Sequence, residues 1–441
     1  MTNRRTFLAS SAALLAAGNL PLLADDAPAE TPPGRDPLLI SNNPVIAPAR
    51  DMALGILKPT RAQLDRGLKL HRESLVFDIY GFAPRAALDA EQYNKIAGQG
   101  ASTAELEDLR EEMTMTRAVS DPEERREFAD AFQCAGVTTI FQNAGQEGQD
   151  PLRLMKRLAR FTYLTDMLDG TLIRAAHPDD LQAAHKEKRH CLYLTGNGVP
   201  LPQQWRSVEE ELGYIRLFYQ LGIRMMHLTY NRRNMLADGC AETANGGLSD
   251  FGREAIAEMN RLGVIVDVAH TGWRSSAEAA RASTRPMVAS HTVCDALNHH
   301  IRAKPDEVIR DICETGGLVG ICCIPAFLGR TGDIAAFLDH IDHVVKTFGI
   351  DHVAIGTDVA HRSQYAAAAN RKIERRGKRR PRFAALWPSG SLGGNWPRSD
   401  SLAWTNWPLF TIGLVQRGYT DDQIRQILGG NMLRVCRAAF S

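Results

Sequence analysis

Eight short apolar runs, rich in β-branched residues, recur along the chain with helical patterns between them. They occupy residues 75–78, 136–141, 191–194, 224–229, 264–270, 287–291, 318–324 and 353–358. Short runs of this kind between helices are typical of buried parallel strands. Eight of them, separated by helical stretches, predict an α/β fold, a TIM-like (β/α)8 barrel.

Three of the predicted strands end on residues that bind metals, namely His270, His291 and Asp358. Barrels of this type place their chemistry at the carboxyl ends of the strands. Two imidazoles and one carboxylate on the same rim suit zinc and leave one position for water. We therefore predict one zinc ion per chain, held by these three residues. A role for Asp358 as the base, with the ion held by the two histidines, is left open.

The composition is that of an ordinary globular protein, with 441 residues, 44% hydrophobic, 23% charged and a formal net charge of +1. Nucleic-acid binding needs a dominant basic face, so this charge argues against a nucleic-acid partner. No run reaches the roughly 18 unbroken apolar residues of a membrane-spanning helix, so we predict none in the mature chain. The eight cysteines show no disulfide-framework or metal-knuckle spacing, and we expect buried free thiols.

The N-terminus has the pattern of a targeting segment. Arg4 and Arg5 precede Phe7 and an apolar stretch that runs to about residue 23, which is typical of a twin-arginine export signal. We therefore predict a signal peptide over 1–24 and a periplasmic or otherwise extracytoplasmic location.

The rest of the chain divides into two parts. Residues 25–59 are rich in Pro, Ala and Asp and predict a linker or an arm along the surface. Residues 60–441 form the predicted barrel, with inserts at 80–127 and 362–400. The basic residues of 371–382 either form a solvated loop or attract an anionic substrate.

One stretch of sequence resembles a known family. Residues 221–231, LGIRMMHLTYN, are similar to the lGvRymtLTHn segment of the membrane (renal) dipeptidases. The likeness covers roughly residue 60 to the end of the chain and continues with GLSDFG at 247–252, EMNRLG at 258–263, DVAH at 267–270, SH at 290–291 and GTD at 356–358. It implies a barrel of the metal-dependent hydrolase type that cleaves dipeptides with two bridged zinc ions.

The resemblance also implies roles for single residues. His270 and His291 would hold one zinc ion, Asp358 would handle the water and the substrate amine, and Arg302 would bind the substrate carboxylate. The family's LTH histidine supports the substrate carbonyl oxygen, and Tyr230 stands in its place. A phenol at this position either donates to the developing oxyanion, as a catalytic and substrate-binding group, or fills space by aromatic packing.

The other metal position departs from the family pattern. Tyr80 and Phe82 stand where the family has a metal-binding histidine and aspartate on the first strand. Either Thr195 or Asn197 stands where a glutamate bridges the two ions. These changes favour a site with a single metal.

Four further residues near these motifs carry weaker predictions. Strand alternation predicts that His227 faces away from Tyr230 in a structural role. His361 is either an extra ligand or a loop histidine, and Asp267 and Asp78 are expected to orient ligands by hydrogen bonds.

Together these features predict an exported, metal-dependent, dipeptidase-like hydrolase that acts on a dipeptide or a related amide. Hydrolysis of another amide, ester or lactone is one alternative, and a barrel that binds a ligand without catalysis is another. A homodimer is left open.

Overall fold

The computed structural model describes residues 36–145, 150–168, 170–374 and 385–440. The predicted signal over 1–24, the first part of the arm and most of the basic segment 371–382 lie outside these residues. Among the described residues, no helix combines the length and the apolar character needed to cross a membrane.

The predicted barrel is confirmed, and each of the eight predicted runs overlaps one of its strands. Eight parallel strands lie side by side in the order β1-β2-β4-β5-β6-β7-β9-β10. The N–H of Asp358, just beyond β10, donates to the carbonyl oxygen of Tyr80 in β1 at 2.9 Å, which links the two ends of the sheet. The strands are β1 Phe77–Gly81, β2 Thr139–Asn143, β3 Leu172–Ala175, β4 His190–Gly196, β5 Met225–His227, β6 Ile265–Asp267, β7 Val288–Cys294, β8 Ala303–Lys304, β9 Leu318–Ile321 and β10 Val353–Ile355.

Two short strands were not predicted from the sequence. Strand β3 pairs with β4 and β8 pairs with β7, both in parallel and both off the main path of the sheet. They have four and two residues, which is too short for a periodic apolar pattern to appear.

Helices fill the connections between the strands and flank the barrel at both ends of the chain. They are α1 Ile46–Leu57, α2 Arg61–Glu73, α3 Ala90–Gly98, α4 Thr103–Ser120, α5 Pro122–Ala135, α6 Pro151–Met167, α7 Pro178–Lys186, α8 Val208–Gln220, α9 Asp250–Leu262, α10 Trp273–Ala282, α11 Asp306–Glu314, α12 Pro325–Leu328, α13 Ile334–Phe348, α14 Ala366–Arg371, α15 Trp407–Gln416, α16 Asp421–Arg425 and α17 Asn431–Phe440. Short 3-10 turns at Ile350–His352, Ser399–Leu402 and Trp404–Asn406, and a π turn at Gln426–Gly430, complete the regular structure.

Helix α1 lies inside the segment that the sequence predicts to be a linker or arm. The side chain of Arg50 in this helix is buried and donates to the carbonyl oxygens of Pro37, Cys134 and Thr405 at 3.0, 2.9 and 2.6 Å. Three distant parts of the chain are thereby joined through one guanidinium, so this part of the arm is packed structure.

The barrel interior changes from apolar to polar toward the carboxyl ends of its strands. A buried cluster includes Phe141, Tyr193, Met225 and Ile265, from four neighbouring strands. Because side chains alternate along a strand, the residues two positions further on face the same way. Those residues, Asn143, Thr195, His227 and Asp267, are all polar and all buried.

The strand that carries His291 is approached very closely by its neighbours. A Cβ atom at Gly320 in β9, or at Gly356 just after β10, would lie 2.0 Å from the carbonyl oxygen of Ser290. Only glycine fits at these two positions, and their backbones hold Ser290 and His291 at the barrel mouth.

Candidate metal centre

Three histidine rings meet at the mouth of the barrel. His227 ends β5, His270 follows β6, and His291 lies in β7, and all three side chains are buried. Their ring centroids are 4.9 Å apart for His270 and His291 and 5.3 Å for the other two pairs. The Nε2 atoms of His270 and His291 are 2.9 Å apart. These rings converge because parallel strands bring their carboxyl ends to the same rim.

A buried carboxylate joins this cluster. Asp267 Oδ1 accepts hydrogen bonds from the N–H groups of Ala269 at 2.9 Å and Ser290 at 3.1 Å. Asp267 Oδ2 lies 2.7 Å from His227 Nε2. One ligand atom each from His227, Asp267 and His291 lies within 4.8 Å of the other two, which is a grouping that can hold a metal ion.

The contact between His227 and Asp267 is close without being a well-formed hydrogen bond. Despite the 2.7 Å separation, neither His227 Nε2 nor Asp267 Oδ2 has a correctly aligned hydrogen-bond partner among the residues that the structure describes. The separation is that of an ion pair, but a hydrogen bond also requires alignment of the N–H group with the acceptor, and that alignment is absent between these two atoms. Two buried polar atoms directed at a shared space fit a bound cation.

In each of the three histidine rings, the Nδ1 atom forms a hydrogen bond that fixes the orientation of the ring. Hydrogen bonds join His270 Nδ1 to Asn231 Oδ1 at 2.7 Å, and His291 Nδ1 to Ser290 Oγ at 2.8 Å. Another joins His227 Nδ1 to Asn197 Oδ1. Metal-binding histidines are normally oriented in this way, so the Nε2 atoms are the ones presented to a ligand.

The electrostatic setting favours neutral imidazoles. Burial, and then the positive charge of Arg302, lower the pKa of both His270 and His291 well below the usual histidine range. Burial by itself raises the pKa of Asp267, but the charge and contact of His227 and the hydrogen bonds from Ser290 outweigh it and lower the pKa overall. Neutral imidazole and ionised carboxylate are the forms that bind metal ions.

The structure brings some of the predicted residues together and adds others. His270 and His291 converge as the prediction requires, while the carboxylate grouped with His291 is that of Asp267. Asp358 lies just after β10, half-buried, with a left-handed backbone at φ 57°, and its role as a ligand stays a prediction. For a non-glycine residue this conformation is uncommon and is concentrated at functional sites.

The orientation predicted for His227 is wrong. The ring of His227 and the ring of Tyr230 both contact His270, at centroid distances of 5.3 and 4.1 Å. Strand β5 ends at His227, so the alternation of a strand does not extend to Tyr230. The sequence does carry a signal for the correct orientation. His227 is two residues after the interior residue Met225, and this spacing predicts that both side chains face the barrel interior.

Two other predicted residues serve the surrounding structure. His361 Nε2 and Glu127 Oε1 form a buried hydrogen bond of 2.7 Å. Asp78 accepts hydrogen bonds from Thr357 N–H at 2.9 Å, Thr357 Oγ1 at 2.6 Å and Trp404 Nε1 at 3.0 Å. Asp78 therefore orients the backbone that leads into Asp358.

Aromatic rings cover the two predicted histidine ligands. Tyr80 stacks on His291 at a centroid distance of 3.8 Å, and Tyr230 stacks on His270 at 4.1 Å. Trp387 Nε1 donates to the Tyr230 hydroxyl oxygen at 3.2 Å. Tyr80 thus fills the space beside His291 on the strand where the family pattern has its other metal ligands.

Arg302 is fully buried beside the cluster. Its Nη2 donates to the carbonyl oxygens of His291 at 2.8 Å and Ala269 at 3.2 Å. Within the described part of the chain, its Nη1 has no hydrogen-bond partner. The guanidinium therefore supports the backbone beside His270 and His291, and it lies over the ring of Phe327 at 5.2 Å from the ring centroid.

A cavity of about 410 Å³ lies behind Asn231, the residue that holds His270. Its wall includes Cys240, whose thiol donates to Asn231 Oδ1 at 3.2 Å, together with Trp273, Ile301 and Pro388. This space is large enough for an amino-acid side chain.

Comparison with known proteins identifies related sequences. A family model described as membrane dipeptidase, peptidase family M19, matches residues 86–367. The dipeptidase TcpJ of Claviceps purpurea is 24% identical over 324 residues, which cover 72% of this chain and 64% of that protein. An uncharacterised dipeptidase of Schizosaccharomyces pombe is 34% identical over 160 residues, 34% of this chain and 38% of that protein. The chain spans less than two thirds of the length of these relatives.

Solved structures with the same fold are also found. An amidohydrolase from Pseudomonas aeruginosa superimposes with a TM-score of 0.63 at 23% identity, covering 85% of this chain and 99% of that one. A metallopeptidase from Rhodobacter sphaeroides, solved with a phosphinate mimic of the dipeptide L-Ala-D-Ala, gives a TM-score of 0.57 at 17% identity, covering 83% and 99%. At these identities the comparison establishes the barrel fold alone.

Proposed function

Because the chain belongs to the membrane dipeptidase family, peptidase family M19, we propose that it is a metal-dependent hydrolase that cleaves dipeptides or closely related amides. The observation that carries the proposal is the convergence of His270 and His291, whose Nε2 atoms are 2.9 Å apart at the barrel mouth. Both imidazoles are buried, neutral and held through their other nitrogen, which is the arrangement of metal ligands.

The metal would be zinc, with one ion per chain. Bound zinc lowers the pKa of its water ligand to about 7 and polarises a carbonyl group. A single ion is supported by the first strand, where Tyr80 and Phe82 replace metal-binding residues and the Tyr80 ring stacks on His291.

The remaining groups of the site suit a small substrate with a free carboxylate. Among the described residues, Nη1 of the buried Arg302 guanidinium has no hydrogen-bond partner, and such a charged N–H group can donate to a substrate carboxylate. Tyr230 places a hydroxyl next to His270, where it can donate to the oxygen of the scissile carbonyl. Asp358 would accept a proton from the attacking water and return it to the nitrogen of the leaving amine as the C–N bond breaks.

We also propose that the protein is exported to the periplasm or another extracytoplasmic compartment. The twin arginines and the apolar run that follows them support this part of the proposal, since they match a twin-arginine signal. Replacement of Arg4 and Arg5 by lysine is expected to retain the protein in the cytoplasm, as cell fractionation would reveal.

A second function is favoured by the changes on the first and third predicted strands. Tyr80, Phe82, Tyr230 and the 195–197 segment all differ from the dipeptidase pattern. A site altered at so many positions suits another amide, an ester or a lactone, or a ligand that is bound without being cleaved.

The deciding experiment measures hydrolysis of a dipeptide panel by zinc-loaded protein. We expect cleavage in the wild type and its loss in Asp358→Asn, with Asp351→Asn, a surface carboxylate outside the site, as the matched control. Cleavage of esters or lactones in place of dipeptides would support the second function. A zinc-loaded protein that cleaves none of these would overturn the hydrolase proposal and leave ligand binding.

A further inference from the structure

We propose that His227 and Asp267 are metal ligands in this chain and, together with His291, supply the groups that have been lost from the first and third predicted strands. The inference rests on the proposed function only in assuming that the protein binds a metal. It adds two ligands on β5 and β6 to the histidine pair already described.

The first support is the position of the two atoms. His227 Nε2 and Asp267 Oδ2 are 2.7 Å apart, both residues are at most 1% exposed, and neither atom has an aligned hydrogen bond to any described residue. Unpaired buried polar atoms destabilise a folded protein unless a ligand compensates them. A cation between them and His291 removes that cost.

A second buried pair in the same barrel shows what a structural contact of this kind looks like. His361 Nε2 and Glu127 Oε1 also lie 2.7 Å apart, and both side chains are 3% exposed. That contact is a properly aligned hydrogen bond. Each pair joins a histidine to a carboxylate at the same separation, and both pairs are buried, so separation and burial alone do not explain the misalignment of the His227–Asp267 pair.

Further support comes from the hydrogen bonds made by the other ligand atom of each side chain, Asp267 Oδ1 and His227 Nδ1. Asp267 Oδ1 accepts from two backbone N–H groups, and His227 Nδ1 is bonded to Asn197 Oδ1. Each side chain is thereby held in one orientation, with Oδ2 and Nε2 presented to the interior. Outer hydrogen bonds of this type are what fix metal ligands in place.

The neighbouring strands contribute more unpaired polar atoms at the same level. Asn143 and Thr195 are register partners in β2 and β4, and in the described ranges Asn143 Oδ1 and Thr195 Oγ1 are buried without hydrogen-bond partners. Four adjacent strands therefore each direct one unsatisfied polar atom into the barrel. This layer of polar atoms can surround a polar ligand, such as an ion with its water ligands.

The test is the affinity of metal-free protein for Zn²⁺, measured by competition with a chromophoric chelator, and the absorption spectrum after loading with Co²⁺. Asp267→Asn and His227→Ala are each expected to weaken Zn²⁺ binding about 100-fold or more and to alter the Co²⁺ bands. The matched controls Glu127→Gln and His361→Ala change the structural pair and are expected to leave both readouts unchanged.

Near-UV circular dichroism establishes that each variant is folded, and His227→Gln replaces His227→Ala if the latter is not. Affinity within about threefold of wild type in the folded Asp267 and His227 variants would overturn the inference. Equal losses in the control pair would overturn it as well, since the effect would then be general destabilisation.

The outcomes separate this inference from the proposed function. A wild type that binds Zn²⁺ through His227 and Asp267 but cleaves no dipeptide supports the ligands and refutes the hydrolase. A protein that cleaves dipeptides while both variants keep full Zn²⁺ affinity refutes the ligands and supports the hydrolase.

Discussion

Single side chains around His270 serve two purposes at once. Tyr230 packs its ring on the imidazole and receives a hydrogen bond from Trp387 at its hydroxyl oxygen. Arg302 supports the carbonyl oxygens of Ala269 and His291 while leaving Nη1 unpartnered. Conservative substitutions at these residues can therefore separate packing from chemistry.

Tyr230→Phe removes the hydroxyl and keeps the ring stacked on His270. If that hydroxyl donates to the developing oxyanion, kcat for a dipeptide falls about 100-fold, with KM and zinc content unchanged. Steady-state kinetics on zinc-loaded protein measures this. An unchanged kcat would show that Tyr230 acts only by aromatic packing.

Arg302→Lys keeps one positive charge and loses the planar fork. We expect a wild-type preference for a dipeptide over its C-terminal amide, and a reduction of that preference by about 10-fold or more in the variant. The ratio of kcat/KM for acid and amide is the readout, because general damage to the backbone around Ala269 and His291 would lower both values together. A variant that retains the full ratio would exclude a carboxylate contact.

At the scale of secondary-structure elements, the short length of strand β5 determines how Tyr230 reaches His270. Strand β5 is only three residues long, and its end at His227 lets the following loop bring Tyr230 back over His270.

Helix α13 is joined to β7 and α12 by the buried ring of His340. Its Nδ1 accepts a hydrogen bond from the Cys294 N–H, and its Nε2 donates to the Leu328 carbonyl oxygen. That ring is fully paired in its neutral form.

Protonation of His340 would place a second N–H against the N–H of Cys294. Burial lowers the pKa of His340 to about 4, below the value of about 6.5 in an unfolded chain. As the pH falls below 6.5, the unfolded chain takes up a proton that the folded chain does not. This residue should therefore lower the free energy of unfolding by about 2 kcal/mol between pH 7 and pH 5.

Urea unfolding at several pH values checks this expectation. His340→Gln should flatten the decline between pH 7 and pH 5, whereas His299→Gln, at a largely exposed histidine, should leave it as in the wild type. An identical slope in His340→Gln would contradict the prediction.

At the scale of the whole molecule, the arm that precedes the barrel contributes to the stability of the fold. Arg50 in α1 donates to carbonyl oxygens at residues 37, 134 and 405, which are far apart in sequence. Hydrogen bonds from a charged donor are stronger than neutral ones, and their loss leaves buried carbonyl oxygens unpaired.

Arg50→Met preserves most of the volume and removes the donors. We expect the free energy of unfolding to fall by about 3 kcal/mol, measured by urea denaturation. Arg61→Met in α2 is the control, because the Arg61 side chain is 84% exposed and forms a surface ion pair with Asp65 in the same helix. A change of less than about 1 kcal/mol in Arg50→Met would show that α1 contributes little to stability.

Much of the barrel was predictable from local patterns. The alternation of apolar runs with helical segments identified all eight strands of the barrel, because burial on both faces of a parallel sheet requires apolar residues along the whole strand. The short strands β3 and β8 were missed because they have only four and two residues, and helix α1 was missed because it lies in a segment rich in Pro, Ala and Asp that has the composition of a linker.

The convergence of His270 and His291 was determined by the sequence itself, because both follow apolar strands and parallel strands end at one rim. The tertiary structure alone decided that His227 and Asp267 join them. Their directions depend on where β5 stops and on backbone N–H groups from β7, which are contacts between segments distant in the chain. Local periodicity reports which face of a strand is buried, whereas the distance between two side chains on different strands is set only when the barrel closes.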